Sequence, residues 1–239
     1  AGVAKTAVII DPKSAMLKTR RGAPYPSSSP NRIFRLRNLI PNMPYHAIDL
    51  QDVRLNLESD AGEVNVLRGV NFKVNAGETV SLVGPSGSGK SSLLLVTAGL
   101  EPATSGQVHV GGRELTALGE DARARFRRER IGFVFQAFHL IPSMTALENI
   151  ATPLELASRR DAHDRAAAAL ADVGLSARAG HLPSQLSGGE QQRVAIARAF
   201  AGDADILLAD EPTGNLDGET GAVIVELMFA QATIKKAAL

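Results

Sequence analysis

The sequence predicts an α/β domain built around a largely parallel sheet, and three observations carry that reading. A glycine-rich phosphate-binding loop stands between an apolar strand and a helix. Strand-like and helix-like segments alternate on both sides of it, as a parallel sheet with crossover helices requires. No internal repeat and no coiled-coil heptad competes with this pattern. The composition agrees: 239 residues, 44% hydrophobic and 21% charged, make an ordinary globular domain with room for a subdomain. A net charge of +1 gives no case for nucleic acid as a partner. The absence of cysteine excludes disulfides and thiolate metal sites, which fits a cytosolic protein. The longest apolar stretch, around Ser91–Leu100, is too short to span a membrane.

Residues 1–42 show no sustained periodicity, and Met43 lies just before the first strand-like run, Ala47–Leu57. They also lack the apolar core and cleavage site of a signal peptide. Residues 1–42 are therefore expected to be an irregular extension or upstream sequence, with the domain occupying 43–239. From Ala47 to Val74 the pattern reads as strands, and Asn75-Ala76-Gly77-Glu78 turns the chain into the apolar run Val80–Val83.

Next comes Gly84-Pro85-Ser86-Gly87-Ser88-Gly89-Lys90-Ser91, which fits G-x-x-x-x-G-K-[ST] at every required position. The glycines let backbone N–H groups close around phosphate oxygens, and the following helix N-terminus adds favourable partial charge. Lys90 can reach the β- and γ-phosphates, and the Ser91 hydroxyl is placed to ligate Mg²⁺. A plain Gly/Ser turn would explain the glycines but not the Lys-Ser pair directly after them.

Gln107–Val110 with Gly111-Gly112 reads as a further strand and hairpin. Phe133-Val134-Phe135-Gln136 ends a short strand in an amide able to reach Mg²⁺ or an attacking water. Residues 145–175 are mostly helical. Ser187 reads as the N-cap of a helix that starts Gly188-Gly189-Glu190 and continues through Arg198. Ile206–Ala209 is a buried strand that ends in Asp210 and Glu211. Such strands emerge at the carboxyl edge of a parallel sheet, where α/β ligand sites lie. One of these carboxylates can hold Mg²⁺ while the other orients or deprotonates water. A last helix is expected at Thr220–Gln231.

Together these segments resemble the ATP-binding subunit of an ABC transporter. Residues 84–91 match the Walker A motif, Gln136 the Q-loop, 186–190 (LSGGE) the signature, 206–211 Walker B, and 214–217 the D-loop. The resemblance runs from about Ile48 to about Met228. The runs at 135–142, 145–149 and 208–217 look like the lipoprotein-release and macrolide-export branch. Within that branch, 121–128 looks most like its lipoprotein-release-like ATPases. The implied fold is a phosphate-loop NTPase cassette with a mainly parallel core sheet, a small antiparallel β-subdomain and a helical subdomain at about 137–188.

The implied activity is ATP hydrolysis that powers export or lipoprotein release through a transmembrane permease. It would take place at the cytoplasmic face of the inner membrane. Gly84, Pro85, Ser86, Gly87, Ser88, Gly89, Lys90, Ser91 and Ser92 would hold ATP, and Ser91, Gln136 and Asp210 would hold Mg²⁺. Glu211 would act as general base, with Gln136 sensing metal and water. In a head-to-tail homodimer formed on ATP binding, Ser187, Gly188 and Gly189 of the second copy would close over the γ-phosphate, with Asp217 nearby. The permease would dock near Phe138, Leu140, Ile141 and Met144, although each of these could equally be core. The transported substrate is not written in this chain, because the permease carries that information.

The chain departs from the family pattern in two places. An aromatic that stacks on adenine should fall near Leu57, yet no aromatic occurs between Gln51 and Asn71. After the helix at 220–231 the family continues with an apolar strand ending in a switch histidine. Here all five histidines (His46, His109, His139, His163 and His181) precede Walker B, and the sequence reads to Leu239. Loss of that C-terminal end would leave ATP binding intact, slow turnover and expose an apolar sheet edge beside the Walker B strand. A nucleotide-binding module without efficient turnover is one alternative reading. A non-transport ABC protein is another, although the sequence has no zinc-binding cysteine pair, long coiled coil or second cassette.

Overall fold

The computed structural model describes residues 46–60 and 62–239 with their side chains, and residues 5–10 and 17–20 as strand backbone. The N-terminal half is an antiparallel sheet in the order β4-β3-β6-β7. Its strands are β3 (His46–Ser59), β4 (Gly62–Asn75), β6 (Ser105–Val110) and β7 (Arg113–Glu114). In β3 the residues Ile48, Leu50, Val53 and Leu55 are buried. A strict two-residue alternation would put Leu50 and Val53 on opposite faces. A register shift between Leu50 and Val53 returns both to the core side. Asp52 makes the shift in the left-handed region at φ 44° and donates its N–H to Asn71 Oδ1 at 3.0 Å. Aspartate tolerates that conformation better than most residues.

The core sheet carries the phosphate loop. β5 (Thr79–Val83) leads into that loop and then into α1 (Lys90–Thr97). On one side β5 pairs in parallel with β1 (Lys5–Ile10), which pairs antiparallel with β2 (Leu17–Arg20). Residues 5–10 and 17–20, within the stretch expected to be an irregular extension, thus form strands. Ala7-Val8-Ile9-Ile10 is apolar and mostly β-branched, which suits a strand but is too short to show a period. The rest of that expectation lies outside the described residues.

The second parallel pair is β8 (Ile131–Val134) with β9 (Ile206–Ala209), in register from Ile131↔Ile206 to Val134↔Ala209. Ala237–Leu239 runs between β5 and β9. Leu207 N–H donates to Ala238 O at 2.7 Å, and Val80 N–H donates to Leu239 O at 2.7 Å. One end of the apolar edge expected beside the Walker B strand is therefore covered. A cavity of about 340 Å³ lies between the two strands. Leu82, Leu93, Leu208 and Met228 line it, and it opens on Lys90, Asp210 and Glu211.

The helical part is formed by α3 (Ala146–Leu156), α4 (Ala162–Asp172) and α5 (Gly188–Phe200). Small side chains let these helices approach closely: Ala146, Ala151, Ala162, Ala166 and Ala197 are buried together with Ile150, Leu170 and Val194. α6 (Gly218–Lys235) packs against α5 and β9 through Ile224, Met228 and Ala232. One helix had no counterpart in the sequence reading. It is α2 (Glu120–Arg130), a charged helix in which only Phe126 is buried. It shows no apolar period, and ion pairs hold it: Glu120 accepts from both Arg123 and Arg127, at 2.7 and 2.9 Å. Arg127 also donates to Gly99 O, tying α2 to the end of α1.

Candidate active site

The loop between β5 and α1 is shaped by glycine where the backbone turns left-handed. Gly87 has φ 76° and Gly89 φ 90°. Gly89 is the N-cap of α1 and offers no side-chain cap, so the first N–H groups of the helix remain available to an anion. Lys90 curls back into the loop and donates to Gly84 O at 3.0 Å and to Pro85 O at 2.9 Å. The Ser88 hydroxyl is buried without a partner. An orphaned hydroxyl and a cation resting on carbonyls, beneath an uncapped helix start, form a cradle whose donors exceed its acceptors. Phosphate oxygens would redress that imbalance.

The far wall of the cradle is the end of β9. The Ser91 hydroxyl donates to Asp210 Oδ1 at 3.0 Å, and Asp210 N–H donates to Val134 O at 2.9 Å, so β8 fixes the Asp210 backbone and Ser91 orients its carboxylate. The next residue, Glu211, sits in the left-handed region at φ 43°. That conformation is costly outside glycine and asparagine, and it takes the Glu211 backbone off the line of the strand. The hydroxyl and carboxylate oxygens of Ser91 and Asp210 are hard ligands of the kind Mg²⁺ takes, so the residues present fit that ion.

Two further motifs meet this wall from outside. The Gln136 side chain lies against Gly214, where a Cβ would fall 2.8 Å from Nε2, and Asn215 Nδ2 donates to Gln136 O at 2.9 Å. The D-loop thus holds the Q-loop. Asp217 caps α6 by accepting from Thr220 N–H at 2.8 Å, and that backbone bond is the main reason its carboxyl is held below the usual range.

The Ser187–Gly189 turn is not joined to the phosphate loop by any hydrogen bond among the described residues. It forms the start of α5, closed by a reciprocal cap. Glu190 N–H donates to Ser187 Oγ at 3.2 Å, and Ser187 N–H donates to Glu190 Oε2 at 2.9 Å. The predicted N-cap is therefore present. The Ser187 N–H, helped by Arg178, holds the Glu190 carboxyl below its ordinary value. Gly189 is needed for close packing, since a Cβ there would lie 2.7 Å from Thr220 Cγ2. Ser187 and Gly188 are exposed.

The sequence reading missed two residues that shape the segment after Gln136. Arg198, on α5, donates to Phe138 O at 2.9 Å and to His139 O at 2.6 Å, and burial pulls its guanidinium below the ordinary arginine value. Asn149, on α3, accepts from Ile141 N–H at 2.7 Å and donates to Met144 O at 2.9 Å. A cation and an amide within otherwise apolar helical stretches were the available signals. The four residues expected to face a permease divide accordingly. Leu140 packs on the helical core, while Ile141 is 40% exposed.

Strand, phosphate loop and helix facing adjacent carboxylates on a parallel strand define a phosphate-loop nucleotide triphosphatase. The comparisons narrow the class. The family model described as "ABC transporter" matches residues 67–214, so the chain belongs to the ABC transporter ATP-binding family. It is 49% identical over 185 residues to the uncharacterized ABC transporter ATP-binding protein YbbA of Escherichia coli. That alignment covers 77% of this chain and 81% of the relative. It is 51% identical over 174 residues to the lipoprotein-releasing system ATP-binding protein LolD 2 of Caulobacter vibrioides, covering 72% and 76%. The dimeric post-hydrolysis structure of the ATP-binding cassette MJ0796, bound to ADP and Pi, superposes with a TM-score of 0.73 at 40% identity. It covers 80% of this chain and 85% of that one. The protein is thus an ABC-type ATPase, an ATP-binding subunit of the transporter class. Among the described residues no helix is long and apolar enough to cross a membrane.

Proposed function

We propose that this ATPase works as a head-to-tail homodimer on the cytoplasmic face of the inner membrane, powering lipoprotein release or a related export step through a permease. Residues 43–239 would be the ATP-binding domain and about 137–188 its helical subdomain. The observation that carries the site assignment is the Ser91–Asp210 hydrogen bond beside Glu211 and the Lys90 cradle. The export reading is favoured by relatives named for lipoprotein release and for pyoverdine export.

In this reading Gly84–Ser92 bind the triphosphate, through the backbone N–H groups of every residue but Pro85, and Lys90 leaves the Gly84 and Pro85 carbonyls for the β- and γ-phosphate oxygens. Ser91, Asp210 and Gln136 are the groups that would hold Mg²⁺, which when bound neutralises charge on those phosphates. Glu211 accepts a proton from water as its oxygen bonds to the γ-phosphorus, and the bond to the β-phosphate oxygen breaks to release ADP. Ser187, Gly188 and Gly189 of a second copy complete the γ-phosphate site, with Asp217 at the same seam. Hydrolysis is then tied to closure of the pair.

Glu211→Gln tests this directly, because the amide keeps the shape but cannot accept the water proton. The variant should bind ATP as the parent does and elute as a dimer under saturating Mg²⁺–ATP. The parent should return to monomer as it turns over. A monomeric Glu211→Gln variant at saturating ATP would overturn the shared site.

A further inference from the structure

We infer that Arg198 is a positioning residue for the metal site: by gripping the backbone just beyond Gln136, it fixes where the Gln136 amide stands. The inference rests on the role proposed above for Gln136 in holding Mg²⁺.

Gln136 leaves the sheet at the same edge as Asp210. β8 ends at Val134, whose carbonyl accepts from Asp210 N–H at 2.9 Å, and Gln136 lies two residues further on. Gln136 and Ala137 are exposed, so no core packing holds the amide in place. Its direction is set by the backbone, and side chains hold that backbone from two sides. On the near side, Asn215 Nδ2 donates to Gln136 O at 2.9 Å. On the far side, Arg198 donates through Nη2 to Phe138 O at 2.9 Å and through Nη1 to His139 O at 2.6 Å.

Two features make this grip a determinant of geometry. In an extended chain successive carbonyls point opposite ways. Here two in a row meet one guanidinium, and His139 lies in the left-handed region at φ 47°. Such a conformation persists where surrounding contacts impose it. The planar fork of an arginine fixes the directions of both carbonyls at once, which a lysine ammonium does not. The turn also closes on itself. The His139 ring stands edge-on to Phe135 with centroids 4.9 Å apart, and Phe135 stacks on Phe133 at 4.1 Å. Gln136 therefore sits inside a five-residue turn, 135–139, whose far end is held by Arg198. None of these bonds reaches Gly84–Ser91, so releasing that end disturbs the Gln136 amide and spares the phosphate loop.

The experiment measures ATP affinity in saturating Mg²⁺ and in EDTA, by competition against a fluorescent nucleotide. The proteins are the parent, Arg198→Lys, Arg198→Met, Gln136→Ala and the Arg198→Met/Gln136→Ala double variant. The ratio of the two affinities reports how tightly the site holds the metal, whereas a loss of folded protein lowers both alike. Arg198→Met should lower the ratio about tenfold, the effect of removing a group that orients a metal ligand, and leave the affinity in EDTA within about twofold of the parent's. Arg198→Lys should fall between Arg198→Met and the parent. The double variant should match Gln136→Ala alone, because both substitutions remove the same contact. If Arg198→Met does not bind ATP in EDTA, Arg198→Lys decides by the same ratio. A ratio equal to the parent's in the Arg198 variants while Gln136→Ala lowers it, or losses that multiply in the double variant, overturns the role of Arg198 alone. A Gln136→Ala variant with the parent's ratio overturns Gln136 as a metal ligand, and this inference with it.

Discussion

Two helices in this molecule begin with glycine-rich turns, and they end their backbones in opposite ways. α1 starts at Gly89 with no side-chain cap, an ammonium resting on loop carbonyls and an orphaned hydroxyl at Ser88. α5 starts at Ser187 with both halves of a capping box filled, and Glu190 is further paired with Arg178 at 3.1 Å. The first start is incomplete without an anion. The second is complete by itself and exposed, so it can be presented ready-made to another molecule. The same glycine-rich sequence style therefore marks a site in one place and a preformed surface in the other.

The largest expected break in this comparison is Lys90→Ala. Removing the charge from the incomplete start should weaken ATP binding about ten- to a hundredfold, the value of one charged hydrogen-bonding group. Titration with a fluorescent ATP analogue measures it, and an unchanged affinity would mean that α1 does not hold the phosphates. Next is Arg198→Met on α5. It leaves the part-buried Phe138 carbonyl and the exposed His139 carbonyl without their partner and should cost about 1 kcal/mol or more in urea unfolding. Arg198→Lys should recover part of that loss. Equal stability of all three proteins would show that the Q-loop segment is held some other way.

The smallest effect belongs to the complete start. Ser187→Ala should cost about 1 kcal/mol and leave ATP affinity of the isolated subunit unchanged. Its partner Glu190 titrates below its ordinary value in the folded state. The stability it contributes is therefore full above the unfolded value of about 4.3 and is lost as pH falls through the folded one. Urea midpoints of the parent and Glu190→Gln should differ at pH 6 and converge in acid. A gap that persists below both values would assign the cap's strength to shape rather than charge.

The order of strands and helices around the loop was legible because each motif couples a residue type to an element boundary. Gly84–Ser91 must end a strand and open a helix, and Asp210 must end a strand. The Ser187 cap was legible for the same reason: a serine ahead of paired glycines and good helix formers announces a helix start. Other elements had no such signal. α2 is held by Glu120, Arg123 and Arg127 rather than by an apolar face, so periodicity passes over it. The hold of Arg198 on His139 joins residues 59 apart in sequence, and only the packing of α5 beside the Q-loop brings them together. The burial of both Leu50 and Val53 depends on the register shift at Asp52, which moves one strand against the other without any mark in composition.

The seam between β5 and β9 has a mechanical consequence. The loop that grips phosphate and the carboxylates that act beside it stand on strands that do not pair with each other. Ala238 and Leu239 bridge them, by the bonds from Leu207 N–H and Val80 N–H. Both bonds lie toward the N-terminal ends of these strands, while the chemistry lies at the other ends, across the apolar cavity. The two strands are therefore joined at their bases by the 237–239 segment and at their far ends by the Ser91–Asp210 hydrogen bond, with the apolar cavity between. The exchange protection of two backbone amides, Val80 and Leu207, is thus a gauge of how firmly the phosphate-loop strand and the carboxylate strand are held in line.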